Sequence, residues 1–498
     1  MDLLLEEIGP FGRFQKLTIA LLGLVFSLTS ATLYLTIFTT AEPKLDCNQT
    51  CESWSNVTKF GERSLPNECK FDDSYYGTTI VTDWYLICEK TRLVSLTQTI
   101  YMTGSLCSLF FGFIGDYFGR RKSIVGFLML LSSVLLVSHF LQLSFIKISP
   151  LVKYTIYCIS LFITGFISNI LYGNAFVLLM EITTSKYHTI SSIAALYTYI
   201  FGELFVVLVA YFIRDWHIYN WISVAYSIIV MAISLVFIPE SPRWLLTKRQ
   251  NSKADWILSN IAKKNKRIYR RKYFKAELNS LLERNQIDEL YDDDSADTTS
   301  EKKCITAKSL SKTILLMITF IALSLTYYGI SFGINTIEGL NPYAAHILSC
   351  IFEMIGYTLS ILNEKIGRKK VNVIFLLLSA ISCFLVGYVP SFIKTKNHGI
   401  FSLYSLVMLS LVAVSKCMAS TAFNNIWVYA SELYPTTTRN STLLLLNGVA
   451  RIGGISAPFI NKLRINLWKD IQLPYLIFST ASLLAGIFGL LLPETLNK

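Results

Sequence analysis

Apolar residues come along this chain in long runs, and charged residues collect between them. A hydrocarbon core about 30 Å thick takes roughly 20 apolar residues per helix. About twelve stretches meet that length, near 17–41, 92–115, 124–145, 152–180, 190–213, 218–238, 311–332, 343–362, 371–393, 400–430, 441–461 and 472–492. The run near 343–362 is the weakest, because it contains His346 and Glu353. The pattern predicts an all-α membrane protein with twelve transmembrane helices in two six-helix halves. A soluble helical protein is excluded, since such runs would leave little surface for water. The first run reads as a retained helix: it is too long for a signal peptide, and its leader carries Glu6 and Glu7 instead of basic residues.

Composition and charge sharpen this picture. Of 498 residues, 53% are apolar and 16% charged, against roughly 25% charged in a soluble domain. The net charge of +12 does not signal nucleic-acid binding, because the basic residues lie in loops between spans. They favour alternate loops: Arg13 and Lys16 before the first span, Arg120, Arg121 and Lys122 after the second, and Lys365, Arg368, Lys369 and Lys370 after the eighth. With twelve spans these loops share one side, and the positive-inside rule puts both termini in the cytoplasm. Lys462, Arg464 and Lys469 break the rule, in a predicted outer loop.

Three regions follow: an amino-terminal half at 1–238 with a large outer loop at 42–91, a cytoplasmic linker at 239–310, and a carboxy-terminal half at 311–498. The linker is basic from Lys248 to Lys275 and acidic from Asp288 to Asp297. Helical spacing at Trp256, Ile257, Leu258 and Ile261, then at Leu278, Leu281 and Leu282, predicts short amphipathic helices on the inner membrane face. Cys47, Cys51, Cys69 and Cys88 share the outer loop, which implies two disulfides with three possible pairings. The sequons at Asn48 and Asn56 lie in the same loop and are expected to carry glycans, whereas the one at Asn440 falls on the inner side and stays bare. Cys107, Cys158, Cys350, Cys383 and Cys417 lie in spans as small core residues. No Cys/His spacing suggests a metal site, and nothing points to an enzyme or a cofactor.

The halves repeat each other at three places. Asp116-Tyr-Phe-Gly119-Arg120-Arg121 follows the second span, and Glu364-Lys-Ile-Gly367-Arg368-Lys369 follows the eighth. Glu181 and Glu432 end the fourth and tenth spans. Pro239-Glu240-Ser241 and Pro493-Glu494-Thr495 end the sixth and twelfth. Internal repeats of this kind mark secondary transporters, in which one half rocks against the other around a midplane site. In the loop motif, glycine permits a sharp turn, and the acid and arginines can pair at the cytoplasmic helix ends. Such pairs are expected to hold the halves closed on one side and to break on opening.

Gly112-x-x-x-Asp116-x-x-Gly119-Arg120-Arg121-Lys122 resembles the loop motif of the major facilitator superfamily. Further segments resemble the organic cation/anion/carnitine transporters, solute carrier family 22: Leu4 to Gln15 at the amino terminus, Val81-Thr82-Asp83-Trp84-Tyr85-Leu86-Ile87-Cys88-Glu89 closing the outer loop, Ala210 to Trp216, Pro239-Glu240-Ser241-Pro242-Arg243-Trp244-Leu245, and Glu432-Leu-Tyr-Pro-Thr-Thr-Thr-Arg439. The resemblance covers the whole chain. It implies a twelve-helix carrier of organic ions in the plasma membrane, with a coupling ion or counter-substrate as a further partner beside the lipid bilayer. Gating residues carried over from it and from the repeat are Asp116, Gly119, Arg120, Arg121, Glu181, Glu240, Arg243, Glu364, Gly367, Arg368, Glu432 and Arg439. Pro10 and Ser360 stand where the family has glycine. His188 stands where it has the arginine paired with Glu181, which predicts a weaker or pH-sensitive first gate.

A charge inside a span costs roughly 2.5–3.5 kcal/mol on insertion scales, so it is a functional candidate. Arg451 resembles the arginine of the anion and carnitine branches, and arginine suits a carboxylate. Glu353 resembles the eighth-span glutamate of the cation and carnitine branches, with Ile355 where the family has proline. Lys416 occupies the tenth-span basic position. Glu203 has no family counterpart and reads as a neutralising charge. Arg451 is expected to need Glu353 or Glu203 as counter-charge when no substrate is bound. Tyr34, Tyr172, Tyr327 and Tyr328 are candidates to line the pathway and face a quaternary ammonium. These charges favour a carboxylate-bearing anion or a carnitine-like zwitterion. The alternatives are an organic cation carrier, a sugar-type porter, and a sensor that has lost transport.

Overall fold

The computed structural model describes residues 2–43, 45–46, 70–71, 75–87, 90–111, 114–143, 146–269, 299–334, 341–388, 403–434, 436–463 and 472–494. Twelve long helices dominate the described residues: α1 (Arg13–Thr39), α2 (Thr91–Cys107), α3 (Arg120–Leu141), α4 (Pro150–Ile182), α5 (His188–Ile213), α6 (Trp216–Phe237), α7 (Thr299–Gly333), α8 (Pro342–Leu359), α9 (Arg368–Tyr388), α10 (Leu403–Leu433), α11 (Thr436–Asn461) and α12 (Leu473–Leu490). Among the described residues, ten of these have the length and hydropathy of a membrane span. The other two are α2, with 17 residues rich in Thr and Ser, and α11, which carries Arg451. Large apolar side chains such as Phe212, Val236 and Ile381 stay exposed on the helix surfaces, as a lipid-facing wall requires.

Each of the twelve predicted stretches overlaps one long helix, with shifted ends. The second stops at Cys107, short of 115, because Ser108 Oγ donates back to the Ser105 carbonyl at 2.7 Å and the chain tightens into a 3₁₀ turn at Ser108–Phe111. The eighth ends likewise: Ser360 Oγ donates to the Tyr357 carbonyl at 2.6 Å as the turn Ser360–Leu362 begins.

The first six helices enclose an apolar core around Leu22, Phe26, Leu128 and Leu171, and the last six enclose another around Phe320, Leu376, Ile426 and Leu446. The groups meet along two seams, α2 against α11 and α5 against α8. A two-stranded antiparallel ribbon, β1 (Leu45–Asp46) and β2 (Lys70–Phe71), lies within the 42–91 loop. The four cysteines and two sequons of that loop lie outside the described residues.

Two family-like segments prove to touch each other. Thr79 caps the short helix Ile80–Trp84 by accepting from Val81 N and Thr82 N. This aims Asp83 at α6, where Asp83 Oδ2 accepts from Trp216 Nε1 at 2.8 Å and lies 3.0 Å from His217 Nε2. At the amino terminus, Asn265 clamps the chain. Its Nδ2 donates to the Ile8 carbonyl and to Gln15 Oε1, and its Oδ1 accepts from Phe14 N. The helix Asn251–Lys264 before it covers the first predicted amphipathic stretch; its Leu258 and Ile261 pack on Leu4, Leu5 and Ile8, and Trp256 stays exposed. The second stretch, near Leu278, lies outside the described residues.

Candidate functional site

Between the two groups, side chains from α1, α2, α4, α5, α7, α8, α10 and α11 line a cavity of about 610 Å³. Its walls are largely aromatic, with Tyr101, Tyr172, Tyr199, Tyr327, Tyr328 and Tyr357 among them. Arg451 projects into it from α11. Arg451 Nη1 donates to Tyr328 Oη at 2.8 Å, and Nη2 to Asn169 Oδ1 at 2.5 Å. Among the described residues no carboxylate pairs with Arg451, and its Nε has no hydrogen-bond partner. The expected counter-charge from Glu353 or Glu203 is therefore not there: two neutral groups hold the guanidinium.

Glu353 is engaged elsewhere. Its Oε2 lies 3.1 Å from Lys416 Nζ, and both side chains are fully buried. Tyr327 Oη and Tyr357 Oη donate to Glu353 Oε1 at 2.5 and 2.7 Å. Lys416 Nζ also donates to Ser331 Oγ at 2.5 Å and sits 3.4 Å from the Tyr327 ring centroid. Tyr327 and Tyr357 thus face the cavity on one side and the ion pair on the other. Sequence candidates Arg451, Tyr172, Tyr327 and Tyr328 come together on the cavity wall, while Glu353 and Lys416 lie one layer behind it. Tyr34 is buried too, its hydroxyl 3.4 Å from that of Tyr327. Asn169, Tyr101, Tyr199 and Tyr357 were missed, because a polar or aromatic residue in a span carries no signal of its own.

The basic-loop end is built from the repeat. Gly119 and Gly367 have φ of +100° and +111°, which favours glycine. A β-carbon on either would lie 2.6 Å from Glu240 Oε2 or 2.8 Å from Glu494 Oε2. Glu240 Oε1 accepts from Arg120 N, Arg121 N and Ser241 N at 2.8, 3.2 and 3.0 Å, and Glu494 Oε1 accepts from Lys369 N at 3.3 Å. The repeated Pro-Glu motifs therefore place a carboxylate on the helix starts of α3 and α9, where it meets free N–H groups and the positive dipole end. Arg120 pairs with Asp116 at 2.6 Å and with Glu181 at 2.9 Å. Arg368 pairs with Glu432 at 3.0 Å.

Each of these pairs ties helices of one group of six to each other. The expectation that they bridge the two halves is not met in this conformation, because both partners of each pair descend from the same repeat unit. Glu364 lies exposed and forms no ion pair among the described residues. Arg243 sits in the short helix Pro242–Thr247. The side chain of Arg439 lies outside the described residues. His188 Nε2 lies 3.2 and 3.3 Å from the Met180 and Thr183 carbonyls, joining α5 to the end of α4.

The groups touch near the basic loops, where Tyr197 Oη of α5 donates to the Met354 carbonyl of α8 at 3.3 Å, and again at the opposite end. Lys462 Nζ lies 2.5 Å from Glu42 Oε1 and donates to the Thr91 carbonyl at 2.8 Å. Tyr343 Oη donates to the carbonyls of Tyr75 and Ala210 at 2.9 and 3.2 Å, and its ring stacks on Phe38.

Solved structures share this architecture. A xylose transporter from E. coli in a partially occluded inward-open conformation superposes with a TM-score of 0.64 at 17% identity, covering 96% of this chain and 98% of that one. A form of that protein bound to a brominated deoxyglucose gives 0.67 at 16% identity, covering 97% and 96%. The molecule is therefore a multi-pass membrane protein with the major facilitator superfamily fold. The family model described as "Sugar (and other) transporter" matches residues 15–498. Solute carrier family 22 member 15 of Xenopus tropicalis is 30% identical over 99% of this chain and 88% of that protein. An organic cation transporter protein of Drosophila melanogaster is 27% identical over 100% and 92%, and human organic anion transporter 3 is 28% identical over 99% and 91%. The chain belongs to solute carrier family 22, within the broader sugar (and other) transporter family.

Proposed function

We propose that this chain carries small organic anions, or carnitine-like zwitterions, across a plasma membrane by alternating access, with residues 1–238 and 311–498 moving about the central cavity. The basic-loop end faces the cytoplasm in this reading, which puts both termini and the 239–310 linker there. The observation that carries the substrate class is Arg451: a fixed cation in the cavity, held by neutral groups, with Nε free to donate. Arginine keeps its charge in proteins and binds carboxylates through two parallel hydrogen bonds. Because Glu353 is neutralised by Lys416, a zwitterion's cationic end meets tyrosine faces such as Tyr172 instead of a carboxylate. A plain cation meets Arg451 as a like charge.

Uptake of labelled glutarate, carnitine and tetraethylammonium by cells expressing the chain tests this. Losing a charge-assisted bond to a buried partner costs about 1.5–3 kcal/mol, so Arg451→Ala should weaken the carboxylate probes roughly tenfold to a hundredfold. Arg451→Asp should shift preference toward tetraethylammonium. Good carriage of tetraethylammonium by the unmodified protein, with both carboxylates ignored, overturns the charge argument.

A further inference from the structure

Glu203 sits mid-helix on α5, 1% exposed, and its Oε2 has no hydrogen-bond partner among the described residues. The groups facing it come from several helices. Tyr34 of α1 and Cys350 of α8 lie beside the carboxylate, and the charges of Glu353 on α8 and Lys416 on α10 act on it. Tyr199 on its own helix lies close to the carboxylate, Tyr327 on α7 reaches Tyr34 with its hydroxyl at 3.4 Å, and His346 on α8 lies near the same Lys416.

Two carboxylates thus share one cation in a region where all three are at most 1% exposed. Lys416 is already committed to Glu353 at 3.1 Å. If Glu203 were also ionised, the cluster would hold one negative charge with no counter-charge, in a region closed to solvent. Burying such a charge is strongly unfavourable, and a group in that position takes up a proton instead. The unpartnered Oε2 can carry that proton without breaking a contact.

We propose that Glu203 is a proton-binding residue, so that the bundle holds one proton between its two groups of helices when they are closed against each other. A hydronium ion gives up a proton to a Glu203 oxygen: its O–H bond breaks, a water molecule leaves, the new O–H bond forms on the carboxyl, and the cluster goes from −1 to neutral. Glu203 and Glu353 stand on opposite sides of the α5–α8 seam, one in each group. When the seam parts, Glu203 meets water, the O–H bond breaks, and the proton leaves to the open side. This release rests on the alternating-access reading above, and it makes the proton a coupling ion for the carrier.

Infrared spectroscopy of the purified full chain in lipid nanodiscs at neutral pH reads the proton directly, through the carbonyl stretch of a protonated buried carboxylic acid. The band is expected in the unmodified protein and absent in Glu203→Gln, which is isosteric with the neutral acid. Lys416→Met should add a second such band, because Glu353 then loses its cation. No band at neutral pH, or a band that persists in Glu203→Gln and disappears in Glu353→Gln, overturns the assignment. The band needs no substrate, so its absence leaves the organic-ion reading standing, and failure of every probe in the uptake panel leaves the band in place.

Discussion

Lys416 and Glu353 show what a single residue contributes here. Both are fully buried, each is the other's only ionic partner among the described residues, Ser331 accepts from Lys416, and Tyr327 and Tyr357 donate to Glu353 Oε1. Removing one member of a buried pair leaves an uncompensated charge and costs about 3–5 kcal/mol, whereas replacing both with similar neutral side chains is often neutral. Lys416→Ala should therefore lower the thermal unfolding temperature in detergent sharply, and Lys416→Met with Glu353→Gln should recover most of the loss. A double variant as unstable as the single one would show that the pair contributes more than mutual neutralisation. The sequence marked all four span charges, Glu203, Glu353, Lys416 and Arg451, because a charge at that depth must have a use. It did not reveal their partners. Partnering depends on how each helix is rotated about its axis, and a tyrosine such as Tyr328 or an asparagine such as Asn169 looks the same in the sequence whether it faces a neighbour, lipid or a cavity.

At the scale of elements, all twelve helices were legible, since a run of apolar residues long enough to span has few alternatives. Their ends were less so: serine back-bonding at Ser108 and Ser360 tightens the chain before the apolar run stops. The repeated motifs were visible too, but their function as joints inside each group emerges only in three dimensions, where residues over a hundred positions apart meet, as Arg120 meets Glu240. The joint has unequal parts. Asp116 is 55% exposed and Glu181 only 17%, and Glu181 takes two hydrogen bonds from the Arg120 guanidinium. An exposed pair is worth about 0–1 kcal/mol, and a bidentate, better-shielded one is worth more. Glu181→Gln should thus lower the unfolding temperature more than Asp116→Asn. Glu240→Ala, which frees the N–H groups opening α3, should cost about 0.5–2 kcal/mol, the range for a lost helix cap. If all three variants are as stable in detergent as the unmodified protein, the joint is not structural.

For the whole molecule, the residue that sits worst with the sequence pattern turns out to join the two groups. Lys462 breaks the positive-inside tendency, and nothing nearby in sequence explains it. In the fold it reaches from the end of α11 to Glu42 and the Thr91 carbonyl, from the last six helices to the first. Glu42 is 41% exposed and Lys462 35%, so the pair is worth about 0.2–1 kcal/mol. That is too little to hold a fold but enough to shift a balance between two conformations by up to roughly fivefold. Tyr343, stacked on Phe38 and bonded to the carbonyls of Tyr75 and Ala210, closes the same end through packing, so losing the ion pair loosens the closure without abolishing it. Ala41 lies beside Glu42 at the end of α1 and is 5% exposed, which makes Ala41→Cys a reporter with little change in volume. In intact cells, a membrane-impermeant maleimide should label that cysteine several-fold faster when Lys462→Glu sets two like charges together. Adding Glu42→Lys restores an attractive pair with its polarity reversed, and labelling should return toward the original rate. If charge reversal at Lys462 leaves the rate unchanged, this pair does not bias the conformational balance; if the rate rises and Glu42→Lys fails to lower it, Lys462 acts through the Thr91 carbonyl and not through Glu42.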